Sequence, residues 1–186
     1  TYYSLFQHAL PFTLMVLFMT LYQRADGVMI AMLHKKASFQ NGLYAMSFRL
    51  YDALNVVPFL ATSLLLPTLA KRGVKSIEGL SISREILRFA TTLSAVTFPL
   101  IFWAYGDLFS LFYGDQVDVA EEVFEVMMIC FMVGAPMAVL GTILTAADKV
   151  WTVCLVALSG CILNIVCNAL FIPSYGALGA SFTTLA

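Results

Sequence analysis

The sequence predicts an all-α membrane protein, a bundle of five full transmembrane helices and the start of a sixth. Apolar residues make up 61% of the 186 residues and charged residues only 11%, and the mean hydropathy is +0.89. Soluble domains carry roughly 25% charged residues and could not bury so much apolar surface. The apolar residues also fall into six runs, and five of them are long enough to cross a ~30 Å hydrocarbon core.

The first two spans form a helical hairpin. Span A covers residues 10–33 and span B covers residues 42–69, with a polar connection at residues 34–41. Pro58 lies inside span B, where the missing backbone donor predicts a bend. Residues 70–88 contain five bases, two glycines and several serines. We therefore expect them to form a loop that contains at most a short surface helix.

Two further spans follow, and each contains a proline. Span C covers residues 89–105 with Pro99, and span D covers residues 123–147 with Pro136. The prolines predict bends in both helices. Residues 106–122 contain five acids and no Lys or Arg, and we expect them to form an acidic loop.

The last part of the chain contains a second hairpin. Residues 148–149 predict a tight turn before span E, residues 150–172. A proline and a glycine at residues 173–176 predict a turn. Span F begins at residue 176 and continues to residue 186 with many small residues, which permit close helix contact. We treat residues 1–186 as one membrane domain and as a piece of a larger protein.

The bases in the connections predict the orientation. One side of the membrane would carry Lys71, Arg72, Lys75, Arg84 and Lys149, and the other side only Lys35 and Lys36. The positive-inside rule places the larger set in the cytoplasm. We therefore expect a multi-pass protein of the cytoplasmic (inner) membrane, with the N-terminus of this chain on the cytoplasmic side.

Four charges lie inside the first hairpin: Arg24, Asp26, Arg49 and Asp52. A charge in a lipid-spanning helix is costly, so it usually has a function or a partner. An antiparallel hairpin that turns near residues 37–38 would place Asp26 level with Arg49 and Arg24 level with Asp52. We expect Asp26 and Arg49 to form the packed pair, while Arg24 faces another neighbour or a polar cavity. Alternatively, all four are structural ion pairs that fix the helix register.

Three asparagines are further polar candidates inside the spans. Asn164 and Asn168 lie four residues apart on one face of span E, and Asn55 lies close to the charged cluster. We favour hydrogen bonds between helices as their role, although they could line a cavity and bind sugar hydroxyls.

Several classes of site find no support in the sequence. The four cysteines and two histidines lack the spacing of metal ligands, so no metal or other cofactor is predicted. A basic stripe for nucleic acid is absent. The sequence also lacks a glycine-rich phosphate loop and a paired general acid and base. We therefore do not expect an enzyme.

Two segments resemble a known family, the polysaccharide flippases. Residues 9–72 combine an apolar helix with Asp26, a Gly-x-Tyr sequence at residues 42–44, Arg49, and a helix that ends in Pro67 before basic residues. Residues 164–183 (NIVCNALFIPSYGALGASFT) are similar to the family's Asn-x-x-x-Asn, Ile-Pro and Tyr-Gly-x-x-Gly-Ala signature. Both segments resemble the C-terminal lobe of these flippases, whose superfamily also contains the multidrug and toxin extrusion (MATE) exporters and the lipid II flippase.

This resemblance implies an alternating-access transporter of twelve to fourteen helices. An N-terminal lobe of the same protein would complete the cavity within the membrane lipid. The substrate would be a polyprenyl-pyrophosphate-linked oligosaccharide, flipped to the outer leaflet for cell-surface polysaccharide synthesis. Arg24 and Arg49 would be the substrate contacts, because the guanidinium fork binds phosphate oxygens bidentately. Asp26 and Asp52 would orient these arginines or exchange partners during the cycle.

Three other functions remain as alternatives. In a cation-coupled exporter of the MATE type, Asp26 and Asp52 would bind protons or Na⁺, but a neighbouring Arg favours the ionised carboxylate. A membrane polysaccharide polymerase or ligase would need catalytic groups in an outer loop, and residues 106–122 contain neither His nor Arg. A non-transporting scaffold is the third.

Overall fold

The computed structural model describes residues 2–113 and 117–185, and all of their regular secondary structure is helical. Side chains are described within these ranges except at residues 2–5, 7–8, 100, 102, 104–113 and 117–119. The five helices are α1 (Tyr2–Leu33), α2 (Ala37–Arg72), α3 (Ile77–Tyr113), α4 (Val117–Ala146) and α5 (Val150–Thr184).

Four segments are long and apolar enough to cross a membrane: Ala9–Leu33, Ala37–Arg72, Ala120–Ala146 and Val150–Thr184. They contain the predicted spans A, B, D and E. Predicted span C lies in α3, partly outside the described side chains. The chain is thus a multi-pass, all-helical membrane protein.

The helices continue well beyond the apolar runs, so two of the expected loops are wrong. Only residues 73–76 separate α2 from α3, and most of the polar segment 70–88 is helical. Most of the acidic segment 106–122 is helical as well, and residues 114–116 lie outside the described residues. The reason is geometric, because hydropathy marks only the part of a helix inside the lipid. At 1.5 Å per residue, the 36 residues of α2 extend about 54 Å, well beyond a ~30 Å core.

Helix α5 reverses direction at Gly176, where φ is +57° and ψ is −128°. The helix continues through Pro173, so the turn expected at residues 173–176 is confined to the glycine. Beyond it, the Thr183 hydroxyl donates a hydrogen bond to Oδ1 of Asn168. Residues 177–184 therefore return along α5, as expected for the start of a sixth span. We call residues 177–184 the return segment.

The core lies between helices that are not neighbours along the chain. Helix α1 packs chiefly against α5, and α2 packs chiefly against α4, which also contacts α3. The main apolar cluster includes Ile30, Leu43, Phe131 and Ile172, from α1, α2, α4 and α5. The two helices of the first hairpin thus share a core with α4 and α5, and their mutual contact is limited.

The prolines at positions 58, 99 and 136 all lie inside continuous helices. The bends expected at Pro58, Pro99 and Pro136 therefore stay a prediction. Asn55 also departs from the expected contact between helices, because its amide donates to the carbonyl of Tyr51 on the same helix, at 2.9 Å.

Candidate functional site

The carboxylate of Asp26 lies at the centre of a buried polar cluster. Asp26 is only 1% exposed. Its Oδ2 accepts hydrogen bonds from the Tyr44 hydroxyl at 2.5 Å and the Thr184 hydroxyl at 2.9 Å. Its Oδ1 accepts from the side-chain amides of Asn164 at 3.1 Å and Asn168 at 2.6 Å. Each carboxylate oxygen therefore has two donors, and all four donors are neutral.

A second set of hydrogen bonds orients these donors. The Asn168 amide also donates to Oδ1 of Asn164 at 3.0 Å, which is possible because residues four apart share one helix face. Oδ1 of Asn168 accepts from the Thr183 hydroxyl. The Tyr22 hydroxyl, one turn before Asp26, donates to the carbonyl of Thr184. The cluster is therefore a connected network in which α1, α2, α5 and the return segment all take part.

Gly176 and Gln40 position the return segment. Gly176 has a positive φ that side-chain-bearing residues rarely adopt, and a Cβ at this position would collide with the Gln40 side chain. Gln40 Oε1 accepts a hydrogen bond from the backbone N–H of Ala177 at 2.8 Å. Because the first N–H groups of a helix have no partner within it, Gln40 supplies one of the missing acceptors.

The expected ion pair between Asp26 and Arg49 is wrong. Arg49 is exposed, and among the described side chains no Lys, Arg or His forms an ion pair with Asp26. Arg24 and Asp52 are likewise exposed, and these two described residues do not pair with each other.

The position of the hairpin turn explains the error. Helix α1 ends at Leu33 and α2 begins at Ala37, so the turn is centred on residue 35 and not between residues 37 and 38. Tyr44, which is as far from residue 35 as Asp26 is, therefore lies level with Asp26. The shift of about five residues in the pairing moves Arg49 more than a helical turn away from the carboxylate.

The four donors satisfy the buried carboxylate of Asp26, so a cation could bind there only in competition with them. Burial of an isolated carboxylate is costly, and here hydrogen bonds alone compensate its charge. A proton or a small metal cation on Asp26 would compete with those donors for the carboxylate oxygens. The described residues contain no group of three or more His, Cys, Asp or Glu side chains that could hold a metal ion. A metal ion at Asp26 would therefore need neutral oxygen ligands, such as hydroxyl, amide or backbone carbonyl oxygens.

Three members of the cluster were not predicted from the sequence: Tyr22, Thr183 and Thr184. Gln40, which positions the return segment, was not predicted either. Asn164 and Asn168 were expected in helix contacts but were not assigned to Asp26. The available signal was the pairing of one acid on span A with an Asn-x-x-x-Asn face on span E. The two threonines gave no such signal, because their position depends on the reversal at Gly176.

The sequence matches no protein-family model and no curated protein. In structure, the chain is similar to an outward-facing multidrug-resistance transporter of the MATE family in the MOP superfamily. The TM-score is 0.77 and the identity 24%, over 95% of this chain and 40% of the other. The same values hold for a MOP superfamily transporter from Pyrococcus furiosus, for which a reversed polarity of the binding pocket suggests a different function. The chain thus has the fold of part of a MOP superfamily transporter and spans about 40% of the length of either structure.

Proposed function

We propose that this chain is one lobe of an alternating-access transporter in which Asp26 binds the coupling cation. The observation that carries the proposal is the environment of Asp26, which is 1% exposed and hydrogen-bonded to four neutral donors. The likeness in fold to MOP superfamily transporters supports the choice of a transporter.

Cation binding at Asp26 can be coupled to helix movement, because the hydrogen-bond donors to its carboxylate belong to different helices. Tyr44 belongs to α2, and Thr184 belongs to the return segment. Neutralisation of Asp26 by a proton or by Na⁺ would weaken both hydrogen bonds, because donors bind an ionised acceptor more strongly than a neutral one. The state of the carboxylate therefore biases how α1 joins α2 and the return segment, and two lobe arrangements can differ in this contact.

The environment of Asp26 also makes cation coupling more favourable than the sequence suggested. An arginine beside each acid, as the sequence suggested, would have disfavoured proton or cation binding. Asp26 has no such partner among the described side chains, so a cation faces no competing base. A coupling cation is compatible with either substrate, a lipid-linked oligosaccharide or a drug.

For the substrate, we retain the polyprenyl-pyrophosphate-linked oligosaccharide. Arg24 and Arg49 are both exposed, and neither pairs with Asp26 or Asp52. Their guanidinium groups are therefore available for a pyrophosphate in the complete protein, where a second lobe would face this one. A cationic drug, as in a MATE exporter, is the second candidate, and the fold likeness is equally consistent with it.

Export in cells distinguishes the substrates. We expect deletion of the full-length gene to leave a lipid-linked glycan at the cytoplasmic face, and wild-type protein but not Arg24→Gln to restore its export. Loss of resistance to cationic drugs, with glycan export intact, would instead support the exporter.

Coupling is tested separately in inverted vesicles, where collapse of the proton or Na⁺ gradient should stop wild-type transport. Transport that continues after both gradients collapse would refute cation coupling.

A further inference from the structure

A cavity of about 370 Å³ lies at the C-terminal end of α2, far along the chain from Asp26. It is lined by Pro67, Thr68, Lys71 and Arg72. Lys71 and Arg72 are exposed and occupy the last turn of the helix. The cavity therefore combines an apolar side chain and a hydroxyl group with two positive charges.

The cavity lies at the edge of the apolar zone. Leu65 and Leu69 of α2 pack in one cluster with Ala90 of α3 and Val139 of α4. On α3, the apolar part of the helix begins at Phe89, directly after Arg88. The end of the apolar zone on α3 is therefore level with residues 65–69 of α2, and the cavity lies at this level or just beyond it. Lipid headgroups occupy this depth in a bilayer.

Apolar side chains continue from the cavity toward the membrane centre. Leu60 and Leu64 are 55% and 70% exposed. Because residues four apart are neighbours on a helix surface, Leu60, Leu64, Thr68 and Arg72 form one row that winds slowly around α2. This row thus offers apolar contact at the depth of acyl chains, followed by positive charge at the depth of phosphates.

The charges around the cavity favour an anion. Residues 71–88 contain five bases and two acids. Arg72 forms an ion pair with Glu78 at 2.8 Å, in which both side chains are more than half exposed. Such exposed pairs contribute little free energy, so a phosphate can compete for Arg72. Lys71 has no acidic partner among the described side chains. Clusters of four to eight bases beside a membrane span are typical binding sites for anionic lipids.

We propose that the end of α2 binds the headgroup of an anionic phospholipid. Lys71 and Arg72 bind the phosphodiester, and Leu60 and Leu64 contact an acyl chain. The site is separate from the Asp26 cluster and does not depend on the proposed transport function. A free phosphate offers the same charge without the acyl chain, so the apolar face favours the lipid as the occupant.

Native mass spectrometry of the full-length protein tests this proposal. The detergent-solubilised protein is titrated with phosphatidylglycerol, phosphatidylcholine or inorganic phosphate. We expect tighter binding of phosphatidylglycerol than of the other two. The variant Lys71→Gln/Arg72→Gln should bind it roughly 30-fold more weakly, since each base near the surface contributes about fivefold. The control Lys35→Gln/Lys36→Gln changes two exposed lysines in the α1–α2 turn and should remain within about twofold of wild type.

A charge-preserving variant separates loss of binding from loss of folding. Lys71→Arg/Arg72→Lys retains both charges and should bind phosphatidylglycerol within about twofold of wild type. Should the double Gln variant fail to fold, Lys71→Gln alone serves, with an expected loss of about fivefold. Unchanged affinity in the Gln variants, equal affinity for phosphatidylcholine, an equal loss in the control, or equal binding of inorganic phosphate would each overturn the proposal.

Discussion

The hydroxyl of Tyr44 donates a hydrogen bond to Oδ2 of Asp26 across 2.5 Å, and this contact joins the two helices of the first hairpin at a buried carboxylate. The same oxygen accepts from Thr184, and the other oxygen accepts from Asn164 and Asn168. Asp26 is thus the one acceptor that α2, α5 and the return segment share within the described part of the chain. Its removal should therefore affect stability as well as transport.

Asp26→Ala should lower the stability of the protein markedly. The substitution leaves up to four buried donors without their acceptor, and each unsatisfied buried group costs roughly 1–3 kcal/mol. We expect a total loss of roughly 3 kcal/mol or more, measured as a fall in melting temperature in detergent and in abundance in the membrane. Asp52→Ala is the matched control, because Asp52 is exposed on α2 and should change stability by less than about 0.5 kcal/mol. Equal melting temperatures for both variants would contradict the network around Asp26.

Asn168→Leu should destabilise the protein more than Asn55→Leu. The Asn168 amide donates to Asp26 and Asn164, and its Oδ1 accepts from Thr183. One of the two acceptors of the amide is a carboxylate. Loss of a hydrogen bond to a charged group costs roughly 1.5–3 kcal/mol. Asn55 bonds only a carbonyl of its own helix in the described structure, so about 1 kcal/mol is expected there. The melting temperatures of the two variants show which substitution destabilises more. A lower melting temperature for Asn55→Leu than for Asn168→Leu would be inconsistent with the hydrogen bonds of Asn168.

Gly176→Ala should destabilise the return segment. The positive φ of Gly176 and its contact with Gln40 both disfavour a side chain, and a strained backbone of this kind costs roughly 1–3 kcal/mol. Gly160→Ala is the control on the same helix, because a Cβ there meets open space. Alanine at position 160 should be neutral or stabilise the helix by up to about 1 kcal/mol. A melting temperature of Gly176→Ala equal to or above that of the wild type would show that a side chain at position 176 causes no strain.

Gln40→Met should cost about 1 kcal/mol through loss of the acceptor for the Ala177 N–H, whereas Gln40→Glu retains an acceptor and should be close to wild type. A double-mutant cycle with Gly176→Ala tests the contact itself. In a Gln40→Ala background, Gly176→Ala should cost less than in wild type, because the colliding side chain is gone. Additive free energies in this cycle would show that the two residues do not interact.

The sequence predicted the membrane class and the polar residues better than it predicted their partners. Asn164 and Asn168 were placed on one face because residues four apart on a helix always share a face. The partner of Asp26 was missed because pairing across a hairpin depends on the position of the turn, and a shift of a few residues exchanges Arg49 for Tyr44. Thr183 and Thr184 could not be assigned, because they reach Asp26 only after the chain reverses at Gly176.

Cation binding to the full-length protein tests the central claim most directly, without knowledge of the substrate. We would measure melting temperature against Na⁺ concentration at constant ionic strength, for wild type and Asp26→Asn. A cation that binds the native state stabilises it by about 2.7 kcal/mol at 100 times its dissociation constant. We predict that Na⁺ stabilises the wild type relative to Asp26→Asn, which keeps the shape of the side chain without its charge. Identical dependence of both proteins on Na⁺ would contradict the assignment of Asp26 as the site of a coupling Na⁺.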